Sequence, residues 1–303
     1  MGKASRRKKQ GDAPRRIKTG PVPFVRRPFD GLPGETDWVA LHEILPAASA
    51  VVTLDDAAVR GSGEVPDDAD VPATVTVASV LPMSMAGLRR QDGSVMVGAQ
   101  SGSRSGDASR DLAATILTTL TLEPGEPLLA APSPTEQTPR LQDLLVTADP
   151  LDVTVHEGFE FWADGAELEG EAAESMERAN EVIVPTVAVP GVTSAYWCRI
   201  GARTYIRLVL GDDEDAATNA LARLHAAGTD ALGDDSTLLG AFRSAGLLVP
   251  VIEVDPEADP ESFATALADL LERYLVALAS TEPLNAEERR AKSGLLSRQM
   301  TLR

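Results

Sequence analysis

The apolar positions of this 303-residue chain change their period several times. Spacings of three and four put Leu112, Ala113, Ile116, Leu117 and Leu120 on one side of a helix, with Asp107 ahead of them as cap. The same spacing over Phe263, Leu267, Leu270, Leu271, Tyr274 and Leu278 predicts a long helix, opened by Asp259 as cap and Pro260 as first residue. Ala217, Leu221 and Leu224 behind the acidic run Asp212–Asp215 predict another. Shorter helices are expected over 37–45, closed by Pro46, and over 141–146, 170–182 and 237–243. Alternating or continuous apolar runs predict strands over 50–54, 151–162, 186–189 and 248–254. Two hairpins are expected. One pairs ATVTVASVLPMSM with SVMVGAQ across Arg89–Gly93, and the other pairs SAYWCRI with TYIRLVL across Gly201-Ala202-Arg203. Residues 60–72 read as an acidic loop and 131–139 as a linker.

These elements give an α+β class, with one mixed sheet or two small sheets covered by helices. The order helix, strand, hairpin, helix, short helix, strand, helix occurs twice. ALHEILPAASAV falls against ERANEVIVPTVAV, with Pro46 opposite Pro185, which predicts two pseudo-repeated units. The expected organisation is a mostly disordered basic tail over 1–34, a first unit over 35–166 and a second over 167–283, packed as one domain or two. A basic helical segment over 284–303 closes the chain. There Asn285 and Glu288 have capping-box spacing, Glu288 and Lys292 are an i,i+4 pair, and Gly294 is expected to weaken or end the helix.

Charge changes the picture more than composition does. The net charge is −18, yet residues 1–27 hold ten bases against the single acid Asp12, a balance of +9. Residues 28–283 hold 13 bases and 43 acids, a balance of −30, and the last twenty residues return to +3. An acidic body with two basic ends suggests contacts with polyanions made by the ends. The bases of the tail are Lys3, Arg6, Arg7, Lys8, Lys9, Arg15, Arg16 and Lys18, followed by Arg26 and Arg27. The first eight are the candidate nucleic-acid-binding residues. No apolar run follows them of the kind a secretory signal needs, and the apolar stretches elsewhere are too short and Pro-broken to span a bilayer.

Other chemistry is sparse. The single Cys198 excludes a disulfide framework or a multi-cysteine metal site within one chain, and reads as a core thiol. The loop Gly98–Asp107 offers donors at a helix start, although the Asp107 carboxylate would itself fill an anion position there. Alternation along HEGFEFWAD places His156, Glu160 and Trp162 on one face of a strand, where acid–base work is conceivable and a solvated face is the commoner outcome. The acidic runs at Asp67, Asp68 and Asp70, at Asp212–Asp215 and at Asp234–Asp235 lack calcium-loop spacing. In the second hairpin, Trp197, Arg199, Tyr205 and Arg207 would make an aromatic–arginine interface if they share a face.

MGKASRRKK, VPFVRRPFDGLPGETDWVALHEILPAA, GAFRSAGLLVPV and EERRAKSGLLSRQMTLR resemble an uncharacterised actinobacterial family, a domain of unknown function. The resemblance spans essentially the whole chain. It implies a cytoplasmic protein and no particular activity. Names such as translocase or topoisomerase carried by members gain no support, since the chain has neither a P-loop GxxxxGK[ST] nor a cysteine-rich zinc motif. The expected function is therefore a non-catalytic accessory protein that contacts RNA or the ribosome through the tail. No cofactor, metal, membrane or small molecule is expected. A protein–protein adaptor using the acidic body is the alternative, and an enzyme of unassigned class comes third.

Overall fold

The structure, a computed structural model, describes residues 20–100, 105–163 and 170–297. After a strap over 20–34, which turns repeatedly from residue 26 on, the chain enters α1 (Glu35–Glu43) and β1 (Ala48–Thr53). Next comes α2 (Asp56–Gly61), capped by the Asp55 carboxylate accepting from the Ala58 amide. This short helix falls mostly on residues for which no element was expected and reaches into the start of the expected acidic loop. β2 (Thr74–Ala78), β3 (Gly87–Arg89), β4 (Val95–Gly98), α3 (Ala108–Leu120), β5 (Pro127–Leu128), α4 (Leu141–Leu144) and β6 (Val153–Val155) complete the first half. Its sheet runs β5-β3-β4-β2-β1-β6.

The second half has α5 (Glu171–Glu181), β7 (Thr186–Ala188), β8 (Ala195–Ile200), β9 (Arg203–Leu208), α6 (Glu214–Ala227), β10 (Thr237–Ser244), β11 (Leu247–Val254), α7 (Phe263–Leu278) and α8 (Ala286–Ser297). Its sheet, β10-β11-β9-β8-β7, is antiparallel throughout. The architecture is thus α+β with two sheets. The halves share their order of strand, hairpin and helix but are wired differently, because the first sheet contains a parallel pair, β2 with β4.

That pair corrects the first hairpin. Two turns, not one, separate ATVTV from VMVG. Residues 82–84 form a 3₁₀ turn, and Gly87–Arg89 then makes its own antiparallel strand against β4 across the tight turn at Asp92-Gly93. Folding back twice brings β4 alongside β2 in the same direction. The helix expected over 237–243 is instead strand β10. A register shift between Leu238 and Gly240 breaks its alternation, so Leu238, Ala241 and Phe242 acquire a helix-like spacing while lying on a sheet. The strand expected over 151–162 stops at Val155, and Glu160–Trp162 is a 3₁₀ turn.

Burial explains the layering. The larger core joins the inner face of the first sheet, α1, α3 and α4 to one face of the second sheet through Tyr196, Phe242, Val249 and Val251. The other face of the second sheet supplies Ile206, Leu208 and Ile252 to a second core under α6, α7 and α8. The second sheet is therefore covered on both sides, which is why β11 reads as the unbroken apolar run LLVPVIEV. A small third cluster, Leu81, Met85 and Met96, packs with Phe161 and Trp162.

The C-terminal helix opens with the expected capping box. Asn285 Oδ1 accepts from the Glu287 and Glu288 amides, and Glu288 Oε2 accepts from the Asn285 amide at 2.7 Å. Gly294 does not end it, because Leu295, the next residue, is buried against α6 and holds the helix down. Lys292 turns from Glu288 to donate to Asn219 Oδ1 of α6 at 2.8 Å. Among the described residues no helix is long and apolar enough to cross a membrane.

Candidate functional site

The strap is fastened to both halves. The Val25 amide donates to Gly106 O at 2.8 Å, and Pro28 O accepts from Arg140 and from Gln142. Arg27 is paired with Glu35 and donates to Gly211 O, while Arg26 reaches Glu214 at 2.7 Å. Phe29 is fully buried, its ring stacked on Trp38 with centroids 5.8 Å apart. Gly246, at φ 82°, closes the β10–β11 turn directly beneath Arg26, where a Cβ would overlap the Arg26 carbonyl.

Beneath the strap lies a cleft of about 810 Å³. Its walls come from both halves: the end of α1 with His42 and Glu43, Gln100 after β4, the first turns of α3 with Asp111 and Thr115, and Arg243 from β10. Gln100 Nε2 donates to Leu41 O and Leu45 O at 3.0 and 2.9 Å, which ties the end of α1 to the end of β4. Glu214, only 5% exposed, accepts from Arg26 and Arg243. Burial alone would raise its carboxyl. The two guanidinium bonds outweigh that and hold it below the usual glutamate range.

Helix α3 carries a buried polar line at every fourth residue, Asp107, Asp111, Thr115 and Thr119. Asp107 Oδ1 accepts from the Ser109 and Arg110 amides, and its other oxygen lies 3.3 Å from both Arg110 and Arg140. The helix start is thus filled by its own carboxylate. Thr115 and Thr119 donate to the carbonyls four residues back. Asp111 is different. It is 7% exposed, its Oδ2 accepts from the Ser105 amide at 3.1 Å, and its Oδ1 has no hydrogen-bond partner.

Burial, with the nearby Asp107 charge, raises the Asp111 carboxyl above the ordinary aspartate value against the pull of Ser105. A carboxyl raised in the folded state binds its proton more tightly there than in the unfolded chain. Its contribution to stability is therefore present at low pH and erodes as pH rises through the carboxylate range. Asp111→Asn removes that erosion. The melting temperature of the variant relative to wild type is expected to be higher at pH 7 than at pH 3. An equal difference at both would show that the carboxyl is not strained by burial.

The residues singled out in the sequence fall elsewhere. Lys3, Arg6, Arg7, Lys8, Lys9, Arg15, Arg16 and Lys18 lie outside the described residues. Trp197, Arg199, Tyr205 and Arg207 do not form one surface. Trp197 faces Ile206 and packs into the second core, with the Arg199 guanidinium 5.5 Å from its ring centre. Tyr205 and Arg207 pair with Cys198 and Tyr196 and point to the opposite face. Cys198 is buried, and that burial pushes its thiol up.

His156 and Glu160 are not on one strand. The chain turns at Gly158, the His156 ring stacks on Phe161 at 4.3 Å, and its Nε2 lies 2.8 Å from Ser49 Oγ, a partner the sequence did not suggest. Burial lowers the His156 value, with Glu160 opposing. The acidic run has structural tasks: Asp212 accepts from Tyr274, Asp213 caps α6, and Glu214 binds two arginines. Among the described residues, no group of three or more His, Cys, Asp or Glu side chains is placed to hold a metal ion.

No curated protein and no solved structure matches the chain. A family model does match, over residues 28–303, and it begins just past the basic segment. The chain belongs to DUF5926, a family of unknown function.

Proposed function

We propose that this is a non-catalytic accessory protein that contacts RNA or the ribosome through its basic N-terminal tail. The segregation of charge carries the reading: +9 over residues 1–27 against −30 over residues 28–283. A body of that charge repels phosphate, so attraction to a polyanion has to come from the ends. Arg26 and Arg27 are engaged with Glu214 and Glu35, which leaves eight bases ahead of Gly20 for an external partner. Contacts of this kind read phosphate rather than base.

The test is the electrophoretic mobility of single-stranded RNA with the full chain. Retardation at low salt, fading steeply as salt rises and similar for unrelated sequences, is the expected result. Free RNA at ~50 mM salt, where phosphate contacts are strong, would overturn it. A protein adaptor is the second reading, favoured by Leu275 and Val276, adjacent on α7 and 57% and 77% exposed.

A further inference from the structure

We propose that the cleft under the strap binds a small organic amine, an ammonium or amidinium group on an apolar body, with Asp111 receiving the N–H donors. The inference does not depend on the tail. It starts from volume and place: about 810 Å³, at the seam of two sheets, is the size and setting of small-molecule sites.

The polar groups around the cleft divide into two kinds. Gln100 is committed to the carbonyls of α1, and Glu214 to Arg26 and Arg243, so these build the walls. Asp111 is the exception. It lines the cleft, is more than nine-tenths buried, and leaves Oδ1 without a partner. A carboxylate oxygen taken out of water without a hydrogen bond is costly, and buried polar atoms in folded proteins are paired almost without exception. A donor from outside the chain would complete the set.

The sign of that donor follows from its neighbours. Asp107 already occupies the start of α3, and Glu43 and Glu214 also line the cleft or its rim. Arg26 and Arg243 also line the cleft but are engaged by Glu214, so at the point where Asp111 waits a ligand anion meets its carboxylate unscreened, whereas a cation is attracted to it. The rest of the lining shapes the ligand's body. Phe24, Val25, Pro28 and Leu112 present apolar surface. An amine on a ring or short alkyl chain fits that combination better than a polyamine or a sugar.

The experiment is calorimetric titration of the full chain with benzamidine, tryptamine and phenethylamine, using benzoate and indole-3-acetate as isosteric anions. The amines are expected to bind and the carboxylates not to. Asp111→Asn is expected to weaken the amines at least tenfold. Should that variant fail to fold, Ala108→Trp fills the cleft from the first residue of α3 while leaving Asp111 in place, and is expected to abolish the heat of binding. A thermal midpoint measured without ligand confirms that each variant is folded. Three results overturn the proposal: no amine binding to wild type, equal amine affinity in folded Asp111→Asn or Ala108→Trp, or carboxylates that bind as well as the amines. None of these results bears on RNA binding, so the two readings fail separately.

Discussion

Phe29→Ala is expected to lower the free energy of unfolding by about 3–5 kcal/mol, the usual range for removing a buried aromatic ring. Phe29 has no exposed surface, stacks on Trp38 and lies 5.5 Å, centre to centre, from the His42 ring. The cavity left by its removal would sit between the strap and α1, where Leu32, Trp38 and Leu41 are already packed and have little room to collapse inward. The loss should appear as a lower urea midpoint. A second readout is local. Tryptic cleavage after Arg26 should become faster, because the strap then loses its buried anchor and hangs on polar contacts: Val25 to Gly106, Arg26–Glu214, Arg27–Glu35 and the Pro28 carbonyl. A loss below about 1 kcal/mol, in the range of surface substitutions, would mean that the strap is only laid on the body.

The strap also marks how far the sequence could be read. Phe24, Val25 and Phe29, set beside the turn signals Asp30-Gly31 and Pro33-Gly34, are a pattern able to dock a segment of the tail onto the body, and Phe29 is buried there. Helices α3, α6 and α7 were legible because their caps and stripes agree: Asp107, Asp213 and Asp259 each accept from amides of the following turn. The second hairpin was legible for the same reason. What failed was local regularity interrupted by something non-local. The bulge in β10 mimics a helical spacing, and the parallel partnership of β2 and β4 is decided by a strand folded between them. Gly158 ended a strand whose alternation ran on past it only in the letters.

The cleft was nearly invisible for a different reason. Its walls are 188 residues apart in sequence where Arg26 meets Glu214, and charge spacing carries no information at that range. One signal was present. Asp107, Asp111, Thr115 and Thr119 repeat every four residues along a helix whose stripe is Leu112, Ala113, Ile116, Leu117 and Leu120. A polar line with helical period, behind a cap already supplied by Asp107, marks a helix face that meets something other than water or core.

Removing residues 2–20 is expected to abolish RNA binding and leave thermal stability almost unchanged. The deleted stretch holds eight bases and one acid, few apolar side chains, and none of the strap contacts made by residues 25–29. What remains is an acidic body whose two nearest arginines are paired with glutamates. If all eight bases meet phosphates, the log–log salt slope of the full chain on single-stranded RNA should approach about −5.6, at roughly −0.7 per contact. Substituting Arg6, Arg7, Lys8 and Lys9 by Gln should flatten that slope by about 3 on the same rule. The flattening should be the same on every RNA sequence, since no base is being read. Equal binding by the full and shortened chains at physiological salt would move the contact to the body, and with it first place to the adaptor reading.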